Sequence, residues 1–159
     1  MRTHTFTIHA AGLLLAMALA PAAAESPAPA ARGPVVSRPA LDHSGQTRFG
    51  KASFYARQFF GRRMADGNAM QPQGDNAASK TLPLGTRARV INLETGQSAV
   101  VTIQDRGPYV KGRIVDLSPA TAEKIGLTRR DGVTTVAVAP ITVPQPDGSL
   151  QPGSAAGSE

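Results

Sequence analysis

The chain has 159 residues and a mass of 16.5 kDa, room for one domain of ordinary size plus flanking segments. Aromatics are 4% and Trp is absent, so Val, Ile, Leu and Ala must build any core, while 16 Gly and 13 Pro argue against a long helical bundle. Cys is absent, which excludes disulfide scaffolds, thiol catalysis and thiolate metal sites. The 3 His are His4, His9 and His43, all ahead of the expected folded unit, so a His triad or zinc centre inside it is excluded by counting.

Residues 1–24 carry Arg2, the apolar stretch Ala10–Ala20, Pro21 and an Ala-x-Ala ending at Ala24. This is the pattern of a secretory signal peptide, too short for a stable membrane span. It predicts a soluble periplasmic or secreted protein without stable membrane insertion. Cleavage near Ala24 removes Arg2 and no acid, taking the formal charge from +6 to +5. Between 46 and 143 there are 14 Lys/Arg against 7 Asp/Glu. A basic domain invites a nucleic-acid partner. Export argues against one, and leaves the anionic cell envelope or simple solubility as the reason for the charge.

Residues 25–47 are rich in Pro, Ala, Ser and Arg and read as a disordered linker. Residues 144–159 are polar and Gly/Pro-rich and read as a disordered tail. The folded unit is expected over 48–143. Its first strand signal is Lys51–Ala56, with Phe54 and Tyr55. Next come Thr86–Leu93 and Ser98–Asp105 around a Gly-containing hairpin connection, then Arg113–Leu117, and finally the β-branched run Val133–Ile141. One short helix is expected where Ser118 can cap, Pro119 fits the first turn and Gly126 stops it. Short strands, one helix and Gly/Pro corners predict a mainly β protein, a small barrel.

Two stretches are more specific than barrel punctuation. One is GKASFY at 50–55, followed by FGRRMADG at 60–67. The other is KTLPLGT at 80–86, followed by DRGPYV at 105–110 and GRIVDLS at 112–118. In this order and spacing the chain resembles the rare lipoprotein A family over about 49–141. The resemblance implies a six-stranded double-psi β-barrel with one short helix. It also implies a monomeric lytic transglycosylase that cuts naked peptidoglycan glycan strands, leaving a 1,6-anhydro end, with no metal or organic cofactor. Such chemistry needs an acid for the leaving oxygen and a base for the muramic 6-hydroxyl, and one carboxyl group can serve as both in succession. Ordinary glycosidases use a second carboxylate as nucleophile or to activate water.

Asp105 is the candidate for that group. Ala99, Val101, Ile103 and Asp105 alternate along one face, so Asp105 ends an apolar row just before a Gly-Pro corner. The residues leave a second role open, that Asp105 orders the turn by accepting backbone N–H bonds. Asp116, two residues before Ser118, is expected to order the strand-to-helix junction. Tyr55 and Phe54 can stack on a sugar or belong to the core. Arg62, Arg63 and Lys80 can bind glycan carboxylate or acetyl groups, and Arg106 is a supporting cation. Active family members usually carry His where this chain has Ser79 and Glu where it has Asn68. Ser79 and Asn68 can hydrogen-bond but cannot titrate near neutral pH. The alternative to an enzyme is a non-catalytic glycan-binding or expansin-like wall-loosening module.

Overall fold

The computed structural model describes residues 39–157. The expected signal peptide and most of the expected linker lie outside them. Seven strands and one α-helix follow in chain order: β1 (Arg48–Phe54), β2 (Asn76–Ala78), β3 (Arg87–Asn92), β4 (Ser98–Asp105), β5 (Arg113–Leu117), α1 (Pro119–Lys124), β6 (Thr134–Pro144) and β7 (Leu150–Pro152). A three-residue 3-10 turn, Arg57–Phe59, follows β1.

The sheet runs β1-β5-β2-β4-β3-β6 and closes through β6 pairing back onto β1; β7 is an addition at the outer side of β6. Six strands therefore make the closed barrel that the resemblance implies. Two pairs are parallel, β1 with β5 and β2 with β4, and the other barrel pairs are antiparallel. Closure removes free edges, which short strands need in order to satisfy their backbone groups.

Alternation along each strand turns Val90, Val101, Ile103, Val115, Leu117, Val136 and Val138 inward, where they pack with Ala52, Ala77 and Ala88. Ile125 and Leu127, at the end of α1, close one mouth of the barrel. α1 begins as the residues predict. Ser118 Oγ accepts the Thr121 N–H at 3.1 Å, Pro119 opens the first turn, and Gly126 has φ +73°, a left-handed stop. Buried Asn92 ties the β3–β4 turn to this helix: its Nδ2 donates to Ile125 O at 2.8 Å, and its Oδ1 accepts from Glu94 N and Thr134 Oγ1.

The expected boundaries need two corrections. The segment read as a disordered tail forms β7, which pairs antiparallel with the end of β6. Ala155 then packs with Ala139 and Ile141, which face outward from the barrel and would otherwise be wetted. The end of the expected linker is also part of the body. Asp42 N donates to Thr81 O at 2.7 Å, His43 Nδ1 donates to Pro144 O at 2.9 Å, and Ser154 N donates to Gly45 O at 2.8 Å. His43 thus belongs to the folded unit, bound to a carbonyl. β2 was invisible to periodicity: Asn-Ala-Ala has no apolar pattern and becomes a strand because β4 and β5 pair with it on both sides.

Candidate functional site

Asp105 ends β4 in phase with Ala99, Val101 and Ile103, and its side chain is half-buried at the rim. Its partner on β2 is Ala78, reached after a register shift between Ala77 and Ala78. Irregularities of this kind re-aim side chains at barrel rims. Below the carboxyl lies a small apolar floor of Tyr55, Met64, Met70 and Ala78, with Phe60 packed against it.

Three donors hold the carboxylate. Ala65 N donates to Oδ1 at 3.0 Å, Arg106 N to Oδ1 at 2.8 Å, and the Tyr55 hydroxyl to Oδ2 at 3.0 Å. Asp105 therefore orders the turn through Oδ1, one of the two roles its sequence leaves open, and also lines a cleft. Oδ1 has both lone-pair directions engaged, whereas Oδ2 keeps one. Burial pushes the Tyr55 phenol up, and the negative charge of Asp105 adds to it, so Tyr55 remains a donor. The cleft above, about 250 Å³, is lined by Tyr55, Phe59, Arg62, Arg63, Met64, Met70 and Asp105. Tyr55 meets Phe59 edge-to-face at 6.1 Å, which fixes both rings.

The other expected site residues separate into three groups. Arg106 is a brace: its Nη1 donates to Ser79 O at 3.1 Å and Leu82 O at 2.7 Å, pinning the loop after β2 to the end of β4. Ser79 is 2% exposed, its N–H donates to the Asp105 backbone O, and its Oγ accepts the Leu82 N–H at 3.3 Å. Neither Ser79 Oγ nor Lys80 contacts the Asp105 carboxylate; both residues line a second cavity. Asn68 also stands off. Its N–H and Nδ2 both donate to the Asp66 carboxylate at 2.9 Å, which further accepts Gln104 Nε2 at 2.8 Å. Burial pushes the Asp66 carboxyl up, but these hydrogen bonds outweigh it and hold it below the usual carboxylate range.

Asp116 has a different place from the one expected. The helix junction is ordered by Ser118 itself, whose Oγ–H is directed to Gly74 O. Asp116 instead sits opposite Ala78 on the far side of β2 from Asp105. It accepts the Ser53 hydroxyl and lies 3.7 Å from Arg113 Nη2. Burial raises its carboxyl, Ser53 and Arg113 oppose that, and the charge of Asp105 adds to the rise. Ser53, Ala65, Asp66 and Gln104 escaped sequence reasoning. Ser53, Ala65 and Asp66 stand inside the quoted motifs without an assigned role: Ser53 meets Asp116 through the β1–β5 pairing, and the others act through a loop that folds back over β4.

With this geometry in view, comparison decides the family. The family model described as "Lytic transglycolase" matches residues 47–138, more than half of the chain. The chain belongs to this family. The match overlaps nearly all of the span, about 49–141, over which the motifs pointed to rare lipoprotein A. Among curated relatives, a "Probable endolytic peptidoglycan transglycosylase RlpA" from Synechocystis is 48% identical over 89 residues, 56% of this chain and 27% of that protein. An "Endolytic peptidoglycan transglycosylase RlpA" from Pasteurella multocida is 50% identical over 84 residues, covering 53% of this chain and 29% of its own length. The protein of the same name from Vibrio cholerae is 42% identical over 102 residues, 64% of this chain and 38% of its own. This lytic transglycolase domain thus spans well under half the length of the relatives it matches.

Proposed function

We propose that the protein is an endolytic peptidoglycan lytic transglycosylase acting on naked glycan strands, exported as a soluble monomer to the periplasm or beyond. The observation that carries this reading is the Asp105 carboxyl, held by Tyr55, Ala65 and Arg106 with one Oδ2 lone pair unengaged, in a residue that lines the cleft. The names of the curated relatives support the substrate class.

In the proposed reaction protonated Asp105 gives its proton to the glycosidic oxygen as the bond from the anomeric carbon breaks. The resulting carboxylate takes the proton of the muramic 6-hydroxyl as that oxygen bonds to the same carbon. The departing strand gains one hydroxyl, the other ends in a 1,6-anhydro ring, and Asp105 is again protonated. Water is not consumed. Oδ2 is the oxygen assigned to both transfers, since Oδ1 is occupied by backbone donors. Arg62 and Arg63 on the cleft wall supply positive charge for substrate oxygens or carboxylates.

A second reading, a non-catalytic glycan-binding or wall-loosening module, is favoured by one feature. Ser79 and Asn68 replace the family's usual His and Glu, and neither side chain reaches the Asp105 carboxylate. Digestion of peptide-stripped glycan strands, followed by mass spectrometry, separates the readings. The enzyme releases 1,6-anhydro products and Asp105→Asn abolishes them while retaining strand binding. General acid–base assistance is worth about 10²–10⁴-fold, so Ser79→His is expected to raise turnover measurably. Absence of anhydro product from both wild type and Ser79→His, on strands cleaved by an active relative, overturns the enzyme.

A further inference from the structure

A cavity of about 420 Å³, larger than the Asp105 cleft, opens where the loop after β2 faces the start of β1 and β5. Its polar wall is Asp42, Arg48, Lys80 and Arg113; Phe49 and Ile114 are prominent on its apolar wall. Its volume lies in the range of small-ligand sites, which combine an apolar lining with a few placed polar groups.

The charges in this wall are incompletely matched. Arg48 is committed to Asp42, with Nε to Oδ2 at 2.8 Å. Arg113 leans toward Asp116 at 3.7 Å, beyond hydrogen-bond length, and its Nε is buried with no partner. Lys80 is half-buried and makes no ion pair with any described residue. Three cations and one carboxylate line the cavity, and Asp116, outside the lining, stands 3.7 Å from one of those cations, so the wall keeps an excess of positive charge that suits an anionic ligand.

Phe49 supplies the other half of the recognition. It is 69% exposed in a chain with only 5 Phe and 2 Tyr. An exposed ring beside fixed cations suits a ligand with an apolar C–H face and a charged substituent, as in an acidic sugar. The cavity is also joined to the catalytic rim: Ser79 lines it, and the Ser79 N–H is bonded to the Asp105 backbone O.

We propose that this cavity is a saccharide subsite that recognises a sugar carboxylate, with Lys80 and Arg113 holding the acid and Phe49 supporting the ring. Its place along a glycan and the choice of a carboxylate rest on the proposed strand substrate; that the ligand is an anion rests on the wall charges. A strand engaged here is measured as bound whether or not Asp105 performs chemistry.

The test is a binding cycle in the full chain carrying Asp105→Asn, so that strands are not consumed. The ligands are peptide-stripped glycan strands and the same strands with their carboxyls reduced to alcohols. Loss of one partly exposed charge contact is worth about 3–10-fold, so carboxyl reduction is expected to weaken binding by that factor. Lys80→Ala is expected to weaken native strands equally and to leave reduced strands unaffected. Equal losses on both strand forms, or no preference for the carboxylated strands, overturn the subsite. If Lys80→Ala fails to fold, Phe49→Ala decides. Substitution at its exposed position is expected to weaken both strand forms about 3–10-fold, by loss of ring contact. Unchanged binding overturns the proposal. A catalytically silent wild type with an intact cycle removes the enzyme and keeps the subsite; strand cleavage with an additive cycle does the reverse.

Discussion

Asp105 Oδ1 takes two backbone N–H groups and Oδ2 takes one phenol, so the carboxyl turns only by breaking hydrogen bonds from three separate donors. Tyr55→Phe removes the phenol alone. The ring keeps its place against Phe59 and the apolar floor, so the fold is expected to be retained. Loss of one such hydrogen bond, about 1 kcal/mol, predicts turnover roughly fivefold lower and a melting midpoint lower by about 4–8 °C. Steady-state rates on glycan strands, with melting curves beside them, check this. Asp116 provides a pH test. Its folded carboxyl is raised by burial above the ordinary value of 3.8, so the folded state holds more protons through that window. Stability attributable to Asp116 is therefore lost as pH rises from about 3.8 through the folded value. Asp116→Asn removes this loss. Relative to wild type, the variant is expected to gain in melting temperature as pH rises from the ordinary carboxylate value through the raised folded one. A difference that is flat with pH contradicts the assignment.

The β6–β7 hairpin shows how a segment of polar composition becomes structure. Leu150 and Gln151 supply backbone partners for the last residues of β6, and Gly153 N donates to Ile141 O at 2.9 Å. Gly153 lies so close to Pro140 that a Cβ there would meet the Pro140 carbonyl oxygen at 2.3 Å. That neighbour is backbone and cannot rotate away. Gly153→Ala is therefore expected to cost about 1–3 kcal/mol. In a domain of this size that lowers the melting midpoint by about 4–8 °C per kcal/mol. The same substitution at Gly67, whose Cβ would meet nothing within 4 Å, has only the positive φ of +93° to overcome. Calorimetry of the two variants separates crowding from backbone conformation. Loss of the hairpin would uncover Ala139 and Ile141, which is why the end of the chain bears on barrel stability.

Among the described residues, positive charge gathers at two openings. Arg62 and Arg63 border the Asp105 cleft, and Lys80 with Arg113 borders the larger cavity. Both sets lie on surfaces open to solvent, where ionic strength acts strongly. Screening shortens from about 10 Å at 0.1 M salt to about 3 Å at 1 M, so strand retention is expected to weaken several-fold over that range. Carboxyl-reduced strands are expected to show a shallower dependence. Sedimentation of the two strand forms with the protein across a salt series measures both slopes.

Alternation alone located β4, β5 and the inward row ending at Asp105, because period-two burial is written directly in residue order. The capping triad of Ser118, Pro119 and Gly126 likewise located α1, since helix ends are satisfied by nearby residues. The family was legible in contiguous motifs, each short enough to survive as a string. Tertiary structure decided the rest. β2 has no periodic signal and exists through its two partners, and β7 pairs with the end of β6 and leads into Ala155, which covers Ala139 and Ile141. Tyr55 reaches Asp105 across 50 residues of chain, while Asn68 is held by Asp66 two residues away. Asp116 reads as a junction residue from its neighbours in sequence, yet β2 places it across from Asp105. Sequence order states what a residue can donate, accept or bury; which partner it meets is settled by barrel closure, which brings distant segments to one rim.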